Sequence, residues 1–252
     1  IGAPRGHEVV LYEQQAKLGG QVNLAETLPG RAEFGGVTTN LTHELERSSV
    51  QVHLNSTASA ETIKEFGPDT ILVATGAVPR LPEVEVNGAD IFHAWAVIQD
   101  TVKIGQNVVI ADWACDWTGL GVAQKLAQEG HHVRLLSGAS IAGESIQAIV
   151  RDQWIGELHR LNVETVTFAR FFGAEDRTAF FQHMTNGEPI ICEDVDTIVS
   201  CFARQSNRDF DWLFDASSTD GIDAQVVKIG DAVLPRTVEE AVLDGFKAAW
   251  NL

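Results

Sequence analysis

Glu13 closes a short apolar stretch, His7 to Glu13, and a glycine-rich turn, Lys17-Leu18-Gly19-Gly20-Gln21, follows it. A carboxylate at the end of a strand can accept hydrogen bonds from the paired hydroxyls of a ribose. Adjacent glycines let a backbone approach a ligand closely, since they carry no Cβ and tolerate positive φ. Further along, Ile71-Leu72-Val73-Ala74-Thr75-Gly76 turns sharply off a β-branched strand, and Ile229-Gly230-Asp231 precedes a helical stretch. Asp231 can accept from a polyol chain, while the helix N-terminus beyond it favours phosphate. Glu13, Gly19, Gly20, Gln21, Thr75, Gly76, Gly230 and Asp231 are therefore the candidate residues of a dinucleotide site. Singly, each also reads as an ordinary strand end or loop; their order and spacing favour one site. In such folds the acidic residue lies about 20 residues after a G-x-G-x-x-G phosphate turn. Only twelve residues precede Glu13, so the first dinucleotide unit is expected to be truncated at its N-terminus.

A second strand–helix–strand pattern runs from Asn107 to Leu136. Where a nicotinamide site needs closely spaced glycines, it has Asp112-Trp113-Ala114-Cys115-Asp116-Trp117, and only Gly119 and Gly121 remain, toward the helix. Bulky indoles and two carboxylates would block and repel a pyrophosphate. The next strand ends at Leu136-Ser137, without the acid expected for NAD or a nearby Arg for NADP. A later strand leads into Cys201-Phe202-Ala203-Arg204, not a Thr-Gly turn. This unit is expected to keep the shape of a nicotinamide domain without its ligand.

Other tempting residues have plainer readings. His131-His132 complements a helix C-terminus, His159 belongs to helix packing, and Trp113 and Trp117 read as loop packing before they read as a partner surface. Acidic neighbours are expected to raise the pKa of Cys115 and blunt its reactivity. Asp112 and Asp116 lack a third type of metal ligand. No Ser/His/Asp constellation or glycosidase-type carboxylate pair can be assembled, so no catalytic residue and no metal site are assigned.

The elements that must position these groups alternate between strand and helix, which places the chain in the α/β class with parallel sheets and right-handed crossovers. Helices are expected over 38–47, 60–66, 120–129, 145–161 and 237–250. Strands are expected over 7–13, 50–54, 69–77, 107–110, 132–136, 163–168, 178–183, 196–201 and 226–231, with a turn at Asn186-Gly187. The chain divides into one domain at 1–103 plus 222–252 and a second, inserted domain at 104–221. Its 252 residues carry a net charge of −17, which disfavours nucleic acid and anionic membranes as partners. Three cysteines without a C-x-x-C pair fit a reducing compartment, the cytoplasm, and cannot alone hold a four-cysteine cluster. No apolar run reaches the roughly 18 residues of a membrane span.

The segments RGHEVVLYEQQAKLGGQVNLAETLPGR, DTILVATGAVPR, LGVAQKLAQEGHHVRLL and IGDAVLPRTVEEAVLDGFKAA carry a resemblance. They resemble the two-dinucleotide-domain flavoproteins, and more narrowly the C-terminal region of the multidomain NADH:flavin oxidoreductases related to old yellow enzyme. That group includes trimethylamine and histamine dehydrogenases, 2,4-dienoyl-CoA reductase and demethylases of N-methylated amines. The resemblance implies two glutathione-reductase-type, Rossmann-like domains, the second inserted in the first. It implies FAD in this region in the reductases, or ADP alone in the amine dehydrogenases. FMN and a 4Fe-4S cluster are expected in an N-terminal barrel outside this chain.

Carried over, Glu13 would hold the adenosine ribose, and Gly19, Gly20 and Gln21 would line the nucleotide. Thr75 and Gly76 would border the site, and Gly230 with Asp231 would face the pyrophosphate–ribityl end. The degraded second unit favours the amine-dehydrogenase branch, which oxidises N-methylated amines or amino acids and passes electrons to a protein such as an electron-transfer flavoprotein. The alternatives are an NAD(P)H:flavin oxidoreductase of the dienoyl-CoA reductase type and a non-enzymatic docking or assembly module. The barrel domain or a second copy of the chain is a further expected partner. Alone, the chain is expected to bind FAD weakly and to associate through an exposed strand edge.

Overall fold

The computed structural model describes residues 1–215, 219 and 221–252. In chain order its elements are β1 (Val10–Tyr12), α1 (Val22–Ala25), α2 (Gly35–Glu46), β2 (Gln51–His53), α3 (Ala60–Phe66), β3 (Thr70–Val73), β4 (Ala77–Val78), β5 (Asp90–His93) and α4 (Ala94–Ile98). Then follow β6 (Asn107–Asp112), α5 (Trp117–Gln128), β7 (His132–Ser137), α6 (Ala148–Arg160), β8 (Glu164–Val166), β9 (Ala169–Glu175), β10 (Thr178–His183), β11 (Pro189–Cys192), β12 (Thr197–Cys201), β13 (Gln205–Ser206), β14 (Gln225–Lys228) and α7 (Val238–Trp250).

The chain groups into two units. The first comprises 1–26, 33–78 and 204–252; the second comprises 27–32 and 79–203. This differs from the expected boundaries at 103 and 222. Residues 79–103 join the second unit because β5 pairs in parallel with β12, from Asp90↔Thr197 to His93↔Ser200. Residues from 204 onward join the first because β13 pairs with β4.

In the first unit β1 and β2 form one parallel ladder, and β3 and β14 form another. β3 runs Thr-Ile-Leu-Val, and β-branched side chains suit a pleated, half-buried surface. Val73 joins Ile63 of α3 and Leu213 in a small core. Helix α3 starts where Ser59 and Thr62 cap each other's backbone N–H groups, and it stops at Gly67, whose φ of 62° an L side chain rarely adopts. Thr237 and Glu240 make the same reciprocal cap for α7.

The second unit is built on a five-stranded, fully parallel sheet of order β5-β12-β6-β7-β8. Val108, Val109, Ile110, Ile198 and Val199 are fully buried, as expected of strands covered on both faces. Helix α5 buries Leu120, Val122, Ala123 and Leu126. An antiparallel sheet, β11-β10-β9, packs Phe171, Ala179 and Phe181 into the same core.

The sequence reading anticipated β10 and the turn after it, where Gly187 N–H donates to His183 O at 2.9 Å. It did not anticipate β5, α4, β9 or β11. β9 alternates buried and exposed from Ala169 to Gly173, but Phe168 just before it and Gly173 within it have φ of 54° and 141° and break the local pattern. At Gly173 a Cβ would stand 2.4 Å from Glu85 O, so glycine is required where the 85–87 segment crosses β9. The expected helix over 145–161 begins only at Ala148, and the expected strand over 163–168 is confined to β8.

Truncating the fully buried Ile110 to Ala is expected to cost about 2–5 kcal/mol in urea unfolding. Leu41→Ala on α2, which is 44% exposed, should stay within about 1 kcal/mol of the parent. Equal losses at both positions would contradict this placement of the core.

Candidate functional site

In the first unit the strand ends deliver the candidate residues. Glu13 follows β1; its N–H donates to His53 O at 2.9 Å, extending the ladder by one residue. Its Oε1 accepts from Gln15 N–H at 2.8 Å, so the carboxylate is fixed against its own turn. Gly19 and Gly20 both have positive φ, 118° and 50°. A Cβ at Gly19 would stand 2.8 Å from Asn23 Oδ1 and from Thr38 Oγ1, whereas the space over Gly20 is open. Gly20 therefore presents bare backbone, and Gly19 makes the turn that allows it.

Gln21, Gly76 and Asp231 come together. Gln21 Nε2 donates to Asp231 Oδ2 at 3.1 Å and lies 3.6 Å from where a Cβ on Gly76 would be. Asp231 Oδ1 accepts from Arg236 N–H at 2.9 Å, which fixes the carboxylate at the turn after Gly230. Gly230 itself has φ of 59°, and its N–H donates to Asp244 Oδ2 at 3.2 Å. Thr75 Oγ1, beside Gly76, is buried with no hydrogen-bond partner, and so is Thr38 Oγ1 beside Gly19. Two shielded hydroxyls without partners and an open glycine backbone fit a polar ligand seated among these turns. The hydrogen bonds of Glu13 run to residues 15, 53 and 56 and not to the Gln21–Asp231 group.

The sequence reading missed two arginines of this group. Arg204 Nη1 donates to Gln21 Oε1 at 2.7 Å and lies 3.3 Å from Asp231 Oδ2, while Nη2 donates to Arg236 O at 3.1 Å. Arg236 pairs with Asp244 and holds that carboxyl below its usual range. In the sequence Arg204 stands only as part of a departure from a Thr-Gly turn; a lone arginine after a strand carries no signal of its partner 27 residues later.

In the second unit the loop between β6 and α5 is filled by its own side chains. Asp112 is buried; Cys115 N–H donates to its Oδ1 at 2.9 Å, and Oδ2 is buried without a partner. Burial, with Asp116 adding to it, pushes the Asp112 carboxyl up to about 7. Asp116 caps α5 by accepting from Thr118 N–H at 2.8 Å. Burial is also the first cause that raises the Cys115 and Cys201 thiols, so Cys115 is blunted more by desolvation than by the acidic neighbours expected to do it. Trp117 packs with Trp154 at 5.2 Å, and Trp113 stacks on Phe202 at 6.3 Å. His131 Nδ1 bonds Gly105 O at 2.8 Å, and His159 is exposed on α6. Among the described residues no group of three or more His, Cys, Asp or Glu is arranged to hold a metal ion, and no helix is long and apolar enough to cross a membrane.

No protein-family model matches the chain. It is 32% identical over 170 residues to N,N-dimethylglycine/sarcosine dehydrogenase of Chromohalobacter salexigens, which covers 63% of this chain and 24% of that protein. It is 26% identical over 269 residues to NADH oxidase of Thermoanaerobacter brockii, covering 99% of this chain and 38% of the oxidase. The fold of histamine dehydrogenase from Rhizobium sp. 4-9 matches all of this chain with a TM-score of 0.92, at 21% identity and over 41% of that structure. The chain is a homologue of the multidomain NADH:flavin oxidoreductases. It spans about a quarter to two-fifths of the length of these relatives. The α/β fold with mostly parallel sheets is thereby shared with flavoprotein oxidoreductases.

The raised Asp112 carboxyl has a thermodynamic consequence. Its ordinary pKa is 3.8 and its folded value about 7, so the folded state binds more protons between those values. Stability is then highest below about pH 4 with respect to this group and falls as pH rises to about 7. Asp112→Asn should remove that fall. Parallel slopes of melting temperature against pH for parent and variant, over pH 4.5 to 7, would show that Asp112 titrates normally.

Proposed function

We propose that the first unit binds FAD or ADP and that the chain is the nucleotide-binding part of a flavin-dependent oxidoreductase acting on N-methylated amines or amino acids. The observation that carries this is the meeting of Gln21, Gly76 and Asp231 beside the partnerless Thr75 hydroxyl and the open Gly20 backbone. In this reading Glu13 holds the adenosine ribose, Gly19, Gly20 and Gln21 line the nucleotide, Thr75 and Gly76 border it, and Gly230 and Asp231 face the pyrophosphate–ribityl end. FAD, when bound, supplies a two-electron acceptor. The chain's own residues would bind and orient it: Gln21, Arg204 and the Arg236 N–H hold the Asp231 carboxylate in place at this turn.

The substrate class follows the dimethylglycine/sarcosine dehydrogenase relative. FMN and a 4Fe-4S cluster, if they serve this enzyme, are held outside this chain, in a barrel domain. The electrons then leave to a protein acceptor such as an electron-transfer flavoprotein. Three free, buried cysteines suit a reducing, cytoplasmic setting. A second reading, an NAD(P)H:flavin oxidoreductase, is favoured by the NADH oxidase relative, which spans nearly the whole chain.

The deciding measurement is the absorbance spectrum of the purified protein with nucleotide analysis of its denatured supernatant. FAD or ADP is expected in the supernatant; neither would shift the chain to a docking or assembly role. Gly20→Val, which puts a branched side chain at positive φ in the open turn, and Asp231→Ala should each lower the bound nucleotide about ten-fold or more. Rapid bleaching of bound flavin by NADH would favour the second reading.

A further inference from the structure

A dinucleotide needs three openings at the C-terminal edge of a parallel sheet: a bare turn after the first strand, a close approach to the following helix, and a free end on the next strand for the ribose. The second unit has the strands and the helix for this, and each opening is filled by a side chain of its own. At the first, a Cβ on Gly119 would stand 2.5 Å from Asp112 Cγ and Oδ2. The glycine in the first turn of α5 thus admits the Asp112 carboxylate, in the place where a phosphate would approach. At the second, a Cβ on Gly121 would stand 2.7 Å from Leu28 Cδ1, and Leu28 is only 5% exposed. Leu28 lies in the short segment 27–32 that groups with this unit, beside Arg31, whose guanidinium sits 3.4 Å above the Trp117 ring. At the third, a Cβ on Gly138 would stand 2.7 Å from Trp113 Cε3, so the indole lies over the turn after β7. Phe202, at the end of β12, stacks on the same indole.

The open faces of three glycines are thus covered by a carboxylate, an isobutyl group and an indole. The Asp112 carboxyl lies against Gly119 in the first turn of α5, and Asp116 already caps that turn. We propose that Asp112, Trp113 and Leu28 form a built-in plug that fills the dinucleotide cleft of the second unit and makes the protein exclude NADH and NADPH. The plug is a specificity determinant: it removes the hydride donor used by reductases of this fold and leaves the first unit as the nucleotide site. It holds whether or not the first unit carries FAD, which the released nucleotide reports separately.

The test is binding of NADH to the purified protein with saturating ADP present to fill the first unit, read by titration and by hydrogen exchange of residues 112–121 and 137–139. The parent should show no NADH-dependent protection there at about 1 mM, a level that only weak binding would escape. The triple variant Leu28→Ala/Asp112→Ala/Trp113→Ala should bind NADH at least about ten-fold more tightly and become protected in those segments. Micromolar binding and protection in the parent would overturn the plug, and so would a folded triple variant that binds no better. Trp113 is 43% exposed, so Trp113→Ala alone tests the idea if the triple variant does not fold. A measurable gain in affinity with protection at 137–139 supports the plug, and no gain overturns it.

Discussion

A parallel strand buried on both faces has nowhere to put a polar side chain except at its ends. That constraint organises the second unit; the strands of the first are only partly buried, yet its candidate groups also stand beyond their carboxyl ends. β6 and β12 run through the second unit with almost every side chain sealed from solvent; Asn107 and Thr197 open them, and polar groups return at Asp112, Ser200 and the loops beyond. In the first unit, β1, β3 and β14 end at Glu13, at Thr75 and Gly76, and at Gly230 and Asp231. The chemistry of this chain therefore collects at the carboxyl edge of each sheet, where unpaired backbone groups and helix N-termini face the same space.

The two units resolve that edge in opposite ways. In the first, glycines at positive φ leave backbone open, and the hydroxyls of Thr38 and Thr75 lie shielded with no partner in the chain. Groups so placed gain from a polar ligand and lose from its absence. In the second, the comparable space is taken by Asp112, whose carboxyl is desolvated enough to titrate near neutrality, and by the indole of Trp113. The first edge leaves glycine backbone open, and the second fills its space with side chains, among which Asp112 keeps one oxygen without a partner.

Charge works locally in the same sense. The whole chain is strongly acidic, yet Arg204 and Arg236 stand among Gln21, Asp231 and Asp244, so this corner of the first unit is close to neutral. Arg204 is the first residue of the return into the first unit, directly before β13, which pairs with β4, and its guanidinium lies beside Asp231. A net charge of −17 says nothing about such a corner, because partners within hydrogen-bond distance outweigh distant charges screened by solvent and salt.

The sequence by itself determined the α/β alternation, most of the parallel strands and the edge residues of the first unit. Runs such as Thr-Ile-Leu-Val and Asn-Val-Val-Ile-Ala-Asp announce buried strands, and Gly-Gly or Thr-Gly after them announces a turn. These signals lie within a few residues of one another, so local pattern carries them. Only the tertiary structure decided the rest. The transfer of 79–103 to the second unit, the placing of Arg204 beside Gln21 and Asp231 and the meeting of Leu28 with Gly121 all join residues tens to hundreds of positions apart. Such partners are chosen by which surfaces the folded sheet brings into contact, and no periodicity within one segment encodes that choice.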